Sequence, residues 1–387
     1  MGRQLSQVPE ALLARLWQER AERQREMRTL DGRRVRVLYA GRQSSAAGPD
    51  FRDALVQVSG EGRLTGDVEI HRRQRDWEAH GHHRDPNYNC VVLHAALATD
   101  AAQTVLASGG AAPVVSLEPL AARPAPSSPV PDPWRLLKRH GYRKPSDSPG
   151  LARLLELAGD QRFAWKSRAF ARRLDTEDPD QVLYEALMKA LGYSRNQEQF
   201  LQLARRLPYH SLRSLGCGHG GAECRRLLAH VLTQAGDDVN WQTFRVRPCN
   251  HPRQRLLGAA HLLARYEGPG LAAGLSALVL DGVWKALVSG LEACDERGAA
   301  LVGPGRAADM AVNVVLPFCH ARGMGCGDRR VQKAAFHLYR TAPRLQENEL
   351  TREARRLLLP PGDVQSVKGV RAQQGLIHLY RLLTETY

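Results

Sequence analysis

The apolar positions change period along the chain, and the changes mark its elements. From Pro9 to Met27, Leu12, Leu13, Leu16 and Trp17 recur with the spacing of one helix face among Arg, Glu and Gln, and Pro9 suits a first-turn position. After the Asp31-Gly32 turn signal the period falls to two, with Val35, Val37 and Tyr39 alternating as in a half-buried strand. Gly41 to Pro49 is a small-residue loop whose Gly-Pro pair stops any helix and leaves Asp50 at a strand entrance. Ala54 to Val58 predicts a second strand, Gly60-Glu61-Gly62 a tight turn and Leu64 to Arg72 a third strand. Because strand side chains alternate faces, Val68 and Ile70 point one way and Asp67, Glu69 and His71 the other. Gln74 to His80 predicts a short helix ended by Gly81, Asp85-Pro86-Asn87 a turn, and Val91 to Leu97 a fourth strand carrying His94. The order is helix, three strands able to form a meander, helix, strand, which predicts an α/β core.

Thr104 to Glu118 adds one or two strand-like runs. Pro119 to Pro133, rich in Pro, Ala and Ser, reads as an extended linker. Beyond Trp134 the period becomes helical: Leu151 to Ala158, Arg162 to Leu174, Asp180 to Leu191, Gln197 to Leu207, Cys224 to Gln234, Arg255 to Tyr266, Ala307 to Phe318 and Gln332 to Arg340. The expected organisation is an α/β domain over 1–120, a linker over 121–133 and a mainly helical domain over 134–387. Two domains also fit a length of 387 residues, which exceeds the size at which a single core usually keeps growing.

Composition adds a partner. Fifty-five Lys and Arg against forty Asp and Glu give a formal charge of +15, mostly from arginine, and arginine pairs bidentately with phosphate. Nucleic acid is the leading candidate, with a GC-rich genome that favours arginine codons as the plain alternative. Arginines recur along the helical part (Arg168, Arg172, Arg173, Arg205, Arg206, Arg225, Arg226, Arg245, Arg247), where a solvated helix surface is the ordinary reading. The start of the chain has no signal-peptide core and no run reaches the length of a membrane span, so a cytoplasmic protein without a membrane partner is expected. Seven cysteines, an odd number, argue against a disulfide framework. The like-spaced pairs Cys217/Cys224 and Cys319/Cys326 read as buried reduced thiols, with a zinc site as the lesser alternative.

Five of the fourteen histidines (His71, His80, His82, His83, His94) fall between His71 and His94, the densest set of ligands and proton carriers in the chain. A carboxylate at a strand entrance and another on the neighbouring strand suit a hard cation such as Mg2+ or Mn2+, and Asp50 and Glu69 have that arrangement. His71, two positions beyond Glu69, lies on the same face roughly 6 to 7 Å away and reaches a metal-bound water. His80, His82 and His83 are candidates to protonate a leaving oxygen or bind phosphate, or else form a solvated capping loop. His94, Trp77 and Tyr88 read as core, and Asp67 as a solvent or salt-bridge residue. A competing grouping of His71, His80, His82, His94 and Asp85 would make a zinc or iron hydrolase.

Pro49-Asp50 followed by Glu69-Ile70-His71, within this element order, resembles the restriction-endonuclease-like nucleases of the PD-(D/E)XK superfamily, with His in place of the last Lys. The resemblance implies an α-β-β-β-α-β core and metal-dependent hydrolysis of phosphodiesters in DNA or RNA. Asp50 and Glu69 would be metal ligands, His71 would take the lysine's part, and His80 and His82 would assist. Arg72, Arg73, Arg247 and Asn250 are the candidate nucleic-acid contacts. If histidine does not replace lysine, the same fold is an inactive nucleic-acid-binding module. Over nearly the full length the chain also resembles a bacterial family known as domain of unknown function 2851. That likeness rests on Gly48-Pro49-Asp50-Phe51, Gly66-Asp67-Val68-Glu69-Ile70-His71, Asp76-Trp77, His80-Gly81-His82, Asp85, Tyr88 and Val92-Leu93-His94. It continues in Glu185-Ala186-Leu187, Leu191 to Asn196, Arg247-Pro248, Asn250, Pro252, Asn313, Pro317, Asn348 and Gln373-Gln374-Gly375-Leu376. The Arg247 to Pro252 turn and the Gln373 helix start are candidate substrate or interdomain contacts, set against a structural turn and a helix cap.

Overall fold

The computed structural model describes residues 9–24, 26–44, 48–122, 132–193, 196–243, 250–363 and 365–384. The chain divides into two compact units, Met1–Lys144 with Glu349–Pro361 and Ile377–Tyr387, and Pro145–Asn348 with Gly362–Leu376. The first is a mixed α/β unit and the second is mainly helical. Most of the Pro-rich stretch expected as a linker lies outside the described residues.

In the first unit, helix α1 (Glu10–Arg20) precedes strands β1 (Met27–Arg28), β2 (Arg34–Tyr39), β3 (Arg42–Gln43), β4 (Phe51–Val58) and β5 (Gly62–Arg73). Helix α2 (Asp76–Ala79) leads to β6 (Val91–Ala98), β7 (Gln103–Val105) and β8 (Ala111–Ser116). The sheet runs β1-β2-β4-β5-β6-β8-β7, with β3 also pairing β4. β2, β4 and β5 form the antiparallel meander, whereas β5, β6 and β8 are parallel. The helix expected to reach Met27 stops at Arg20, because Met27 is buried as the strand partner of Val35.

Val68, Ile70, Leu93, Ala95 and Leu97 share a core with Leu13, Ala14 and Trp17 of α1. Trp17 is fully buried and its Nε1–H donates to Ala40 O at 2.9 Å, which satisfies the ring's only polar atom. Truncating such a side chain costs about 3–5 kcal/mol, so it fixes α1, and Glu10 in its first turn, against the sheet. The C-terminal segments return to this unit: Tyr39 Oη donates to Glu353 at 2.7 Å, Tyr380 Oη donates to Asp53 at 3.3 Å, and Arg42 pairs with Glu349 at 2.8 Å. A pattern reading of 1–120 has no view of these partners.

In the second unit the two runs read as separate helices, Leu151 to Ala158 and Arg162 to Leu174, are one helix, Ser148–Leu174, started by the Asp147 cap. Ala311–Val315 is a π-helical turn between Pro304–Met310 and Leu316–Gly325. The 373–375 segment is helix interior, not a cap. Gln373 exchanges hydrogen bonds with the Leu345 backbone at 2.9 and 3.1 Å, and a Cβ on Gly375 would lie 1.7 Å from Leu155 O, so only glycine permits that approach. Arg173 and Arg205 are committed to Glu185. Among the described residues no helix is long and apolar enough to cross a membrane.

Candidate active site

The site forms where β4 enters the sheet beside β5. Phe51 pairs with Val68 and Ala54 with Gly66, so Arg52 and Asp53 together face Asp67, which makes a β-bulge. Asp53 takes a φ of 60°, and its N–H donates to Asp67 Oδ1 at 3.2 Å while Arg52 pairs with Asp67 Oδ2. Asp67 is therefore buried inside the bulge rather than solvated, and its expected salt bridge is present. Gly66 lets β6 approach, since a Cβ there would lie 2.4 Å from Cys90 O.

Ahead of the bulge, Asp50 and Glu69 interlock through the backbone. The Asp50 N–H donates to Glu69 Oε2 at 2.9 Å, and the Ile70 N–H donates to Asp50 Oδ2 at 3.0 Å. Among the described residues neither carboxylate forms an ion pair with Arg or Lys. Burial pushes Asp50 up to about 6 against the hydrogen bond from Ile70, with the charge of Glu10 adding to the rise. Burial, then the charges of Asp50 and Glu10, push Glu69 up to about 9. Glu10 Oε1 is buried without a hydrogen-bond partner among the described residues. The charge of a third carboxylate, that of Glu10, thus acts on both. Sequence reading missed it because it lies forty residues upstream, and only its place in the first turn of an amphipathic helix hinted at it.

The opposite edge of Glu69 faces imidazoles. Its Oε1 lies 3.4 Å from His82 Nε2 and 3.6 Å from His71 Nε2. His71 Nδ1 is 2.9 Å from His94 Nε2, His94 Nδ1 is 2.8 Å from Thr104 Oγ1, and His71 Nε2 is 3.2 Å from His80 Nδ1. Parallel pairing of Glu69 with His94 brings these rings onto one face. His71, His80 and His82 each offer a ligand atom within 4.8 Å of the others, whereas Asp85, from the competing grouping, instead caps the turn 86–88. His94 is a hydrogen-bonded core residue as expected, but in contact with the site. Burial and neighbouring imidazoles lower His71 to about 2, His94 to about 3 and His82 to about 4, so all three are neutral near pH 7. Trp77 and Tyr88 are core, and Tyr88 stacks on His82 with ring centroids 3.9 Å apart.

A family profile described as "Protein of unknown function (DUF2851)" matches residues 10–217, more than half of the chain. The chain belongs to that family. The DUF2851 match takes in Glu10, Asp50, Glu69 and every histidine of the site. No curated protein and no solved structure matches. Of the other expected contacts, Arg72 and Arg73 are exposed at the end of β5 inside the DUF2851 match. Asn250 lies beyond it in the second unit, where its side chain accepts from the buried Arg255, and Arg247 lies outside the described residues. Cys217 and Cys326 are exposed, Cys224 and Cys319 buried, and all four are free; the two exposed thiols depart from the expected burial.

Proposed function

We propose that the first unit is a restriction-endonuclease-like domain that hydrolyses phosphodiester bonds of DNA or RNA with a hard divalent cation, Mg2+ or Mn2+. One observation carries the reading. Buried Glu69 and half-buried Asp50 and Glu10 act on one another by charge; among the described residues no Arg or Lys pairs with the first two, and one buried oxygen of Glu10 has no hydrogen-bond partner. Buried carboxylates are ordinarily paired or bound to metal, and an all-oxygen donor set suits Mg2+ or Mn2+. The succession of helix, antiparallel meander, helix and parallel strand supports the same reading.

Glu10, Asp50 and Glu69 would hold the cation, which when bound acts as a Lewis acid and lowers the pKa of water. His71 stands where the related nucleases carry lysine. Its Nδ1 is engaged by His94 and its Nε2 faces His80 and Glu69, so the neutral ring is placed to orient a water. His80 lies at the exposed end of that hydrogen-bonded row and passes a proton to solvent or to the leaving oxygen. Arg73, exposed on the Glu69 and His71 face of the same strand, meets the phosphate backbone, and Arg72, exposed on the other face, can do so only around the strand end.

The test is incubation of the purified chain with labelled single- and double-stranded DNA and RNA, with Mg2+, Mn2+ or EDTA, beside Asp50→Ala and Glu69→Ala. Expected is cleavage that needs the cation and falls to background in both variants. Binding that EDTA leaves unchanged, without cleavage of any substrate, would make the domain a binding module instead.

A further inference from the structure

Beside Glu69, three imidazoles offer ligand atoms within 4.8 Å of one another, close to the spacing of a second cation position. In a tetrahedral site with metal–nitrogen distances of about 2.0–2.1 Å, neighbouring ligand atoms stand about 3.3–3.4 Å apart. The spacings here are 3.2 Å between His71 Nε2 and His80 Nδ1, 3.4 Å between His82 Nε2 and Glu69 Oε1, and 3.6 Å between His71 Nε2 and Glu69 Oε1. The ligands come from rigid and shaped backbone. Glu69 and His71 are two apart on β5, His80 closes α2, and Gly81, at a φ of 76°, turns the chain so that His82 returns to the same place. Tyr88 stacks on His82 and sets the plane of its ring.

Behind the ligands is the support that metal-bound histidines need. If the His71 Nδ1–H donates to His94 Nε2, and the His94 Nδ1–H donates to Thr104 Oγ1, every short contact in the row is satisfied and the lone pair of His71 Nε2 points toward His80, His82 and Glu69. A buried row of this kind fixes both tautomer and ring orientation. The two edges of Glu69 have different surroundings: Oε2 takes the Asp50 N–H, and Oε1 faces the imidazoles.

We infer that His71, His80 and His82, with Glu69 Oε1 beside the first and the last, form a nitrogen-rich site for a borderline-soft divalent ion of the zinc class, separate from the oxygen-donor position. Imidazole donors select such ions over Mg2+. The ion would supply, beside the scissile phosphate, the fixed positive charge that a lysine gives the related nucleases. That role rests on the hydrolysis proposed above; the binding itself does not.

The experiment is equilibrium dialysis of the chelator-stripped full chain against Zn2+, with metal counted per chain, and Co2+ replacement read by visible absorption. Expected are one Zn2+ per chain and the intense bands of tetrahedral cobalt. His80→Ala, at an exposed position, and His82→Ala should lose both. Thr104→Val should weaken Zn2+ about 10–100-fold through His94, and Asp50→Asn should keep it. Circular dichroism of each variant separates lost ligands from lost fold. No uptake by the unaltered chain, uptake indifferent to His80→Ala and His82→Ala, or uptake abolished by Asp50→Asn would each overturn the inference. Cleavage with Mg2+ alone and no Zn2+ uptake would leave the nuclease reading standing without this site. Zn2+ uptake as described with no cleavage would leave the site standing without the nuclease reading.

Discussion

Glu69 in the first unit and Glu185 in the second are equally buried, at 6% and 5% exposure, and their surroundings are opposite. Glu185 accepts from Gln181 Nε2 at 2.9 Å and pairs with Arg173 at 3.0 Å and Arg205 at 3.5 Å. Its charge is neutralised where it stands, as buried ionic groups in a folding core normally are. Glu69 has one backbone N–H, two neutral imidazoles and a second carboxylate beside it. That arrangement costs stability at neutral pH. The difference separates a carboxylate with counter-charges beside it from one raised by burial and by neighbouring acids.

The widest test of that difference is loss of cleavage in Asp50→Ala and Glu69→Ala, set against retention in Glu185→Gln at a temperature where that variant is folded. Stability gives the next. In EDTA, the folded state holds the Glu69 proton up to about pH 9, while the unfolded chain releases it near 4.5. The folded state therefore binds more protons between those values, and stability falls as pH rises through the window. At pH 7 the penalty is about 3 kcal/mol, from about 1.4 kcal/mol per pH unit. Asp50, raised to about 6, acts in the same direction lower in the range. Glu69→Gln keeps an acceptor for the Asp50 N–H and removes the titration. Denaturant unfolding in EDTA should show the variant more stable at pH 7 by up to about 3 kcal/mol, with a flatter dependence on pH. Glu185→Gln should go the other way, losing about 1–3 kcal/mol because Arg173 is left without its counter-charge. Equal signs for the two variants would end the distinction.

The strands were legible because their period of two is enforced by burial. Val68 and Ile70 reach the α1 core while Glu69 and His71 take the other face, as alternation requires. Four of the histidines dense in the sequence from His71 to His94 also lie together in the fold. What sequence could not give depends on register and on long-range return. His94 meets His71 because β6 pairs in parallel with β5 at Glu69↔His94, a choice that no local pattern encodes. Glu10 arrives only because Trp17 and Leu13 seat α1 on the sheet. Tyr380 reaches Asp53 across more than three hundred residues of chain.

Asp67 offers the finest control, since it lies two residues from Glu69 on the same strand and pairs directly with Arg52, whereas among the described residues Glu69 forms no ion pair with Arg or Lys. Burial raises its pKa and Arg52 draws it back down. Arg52→Met removes the cation, keeps part of the packing, and leaves Asp67 holding only the Asp53 N–H of the bulge. Its folded pKa should then rise further above the unfolded value near 3.8, so the variant's stability relative to the original chain should fall as pH rises through that window. The loss should be about 1 kcal/mol at pH 7, the scale of a partly exposed ion pair, and smaller at pH 4, where less of Asp67 is ionised. Unfolding curves at the two pH values measure it. A loss that is the same at both would mean that Arg52 acts through packing against the bulge and not through its charge, and the contrast between paired and unpaired carboxylates would then rest on Glu69 and Glu185 alone.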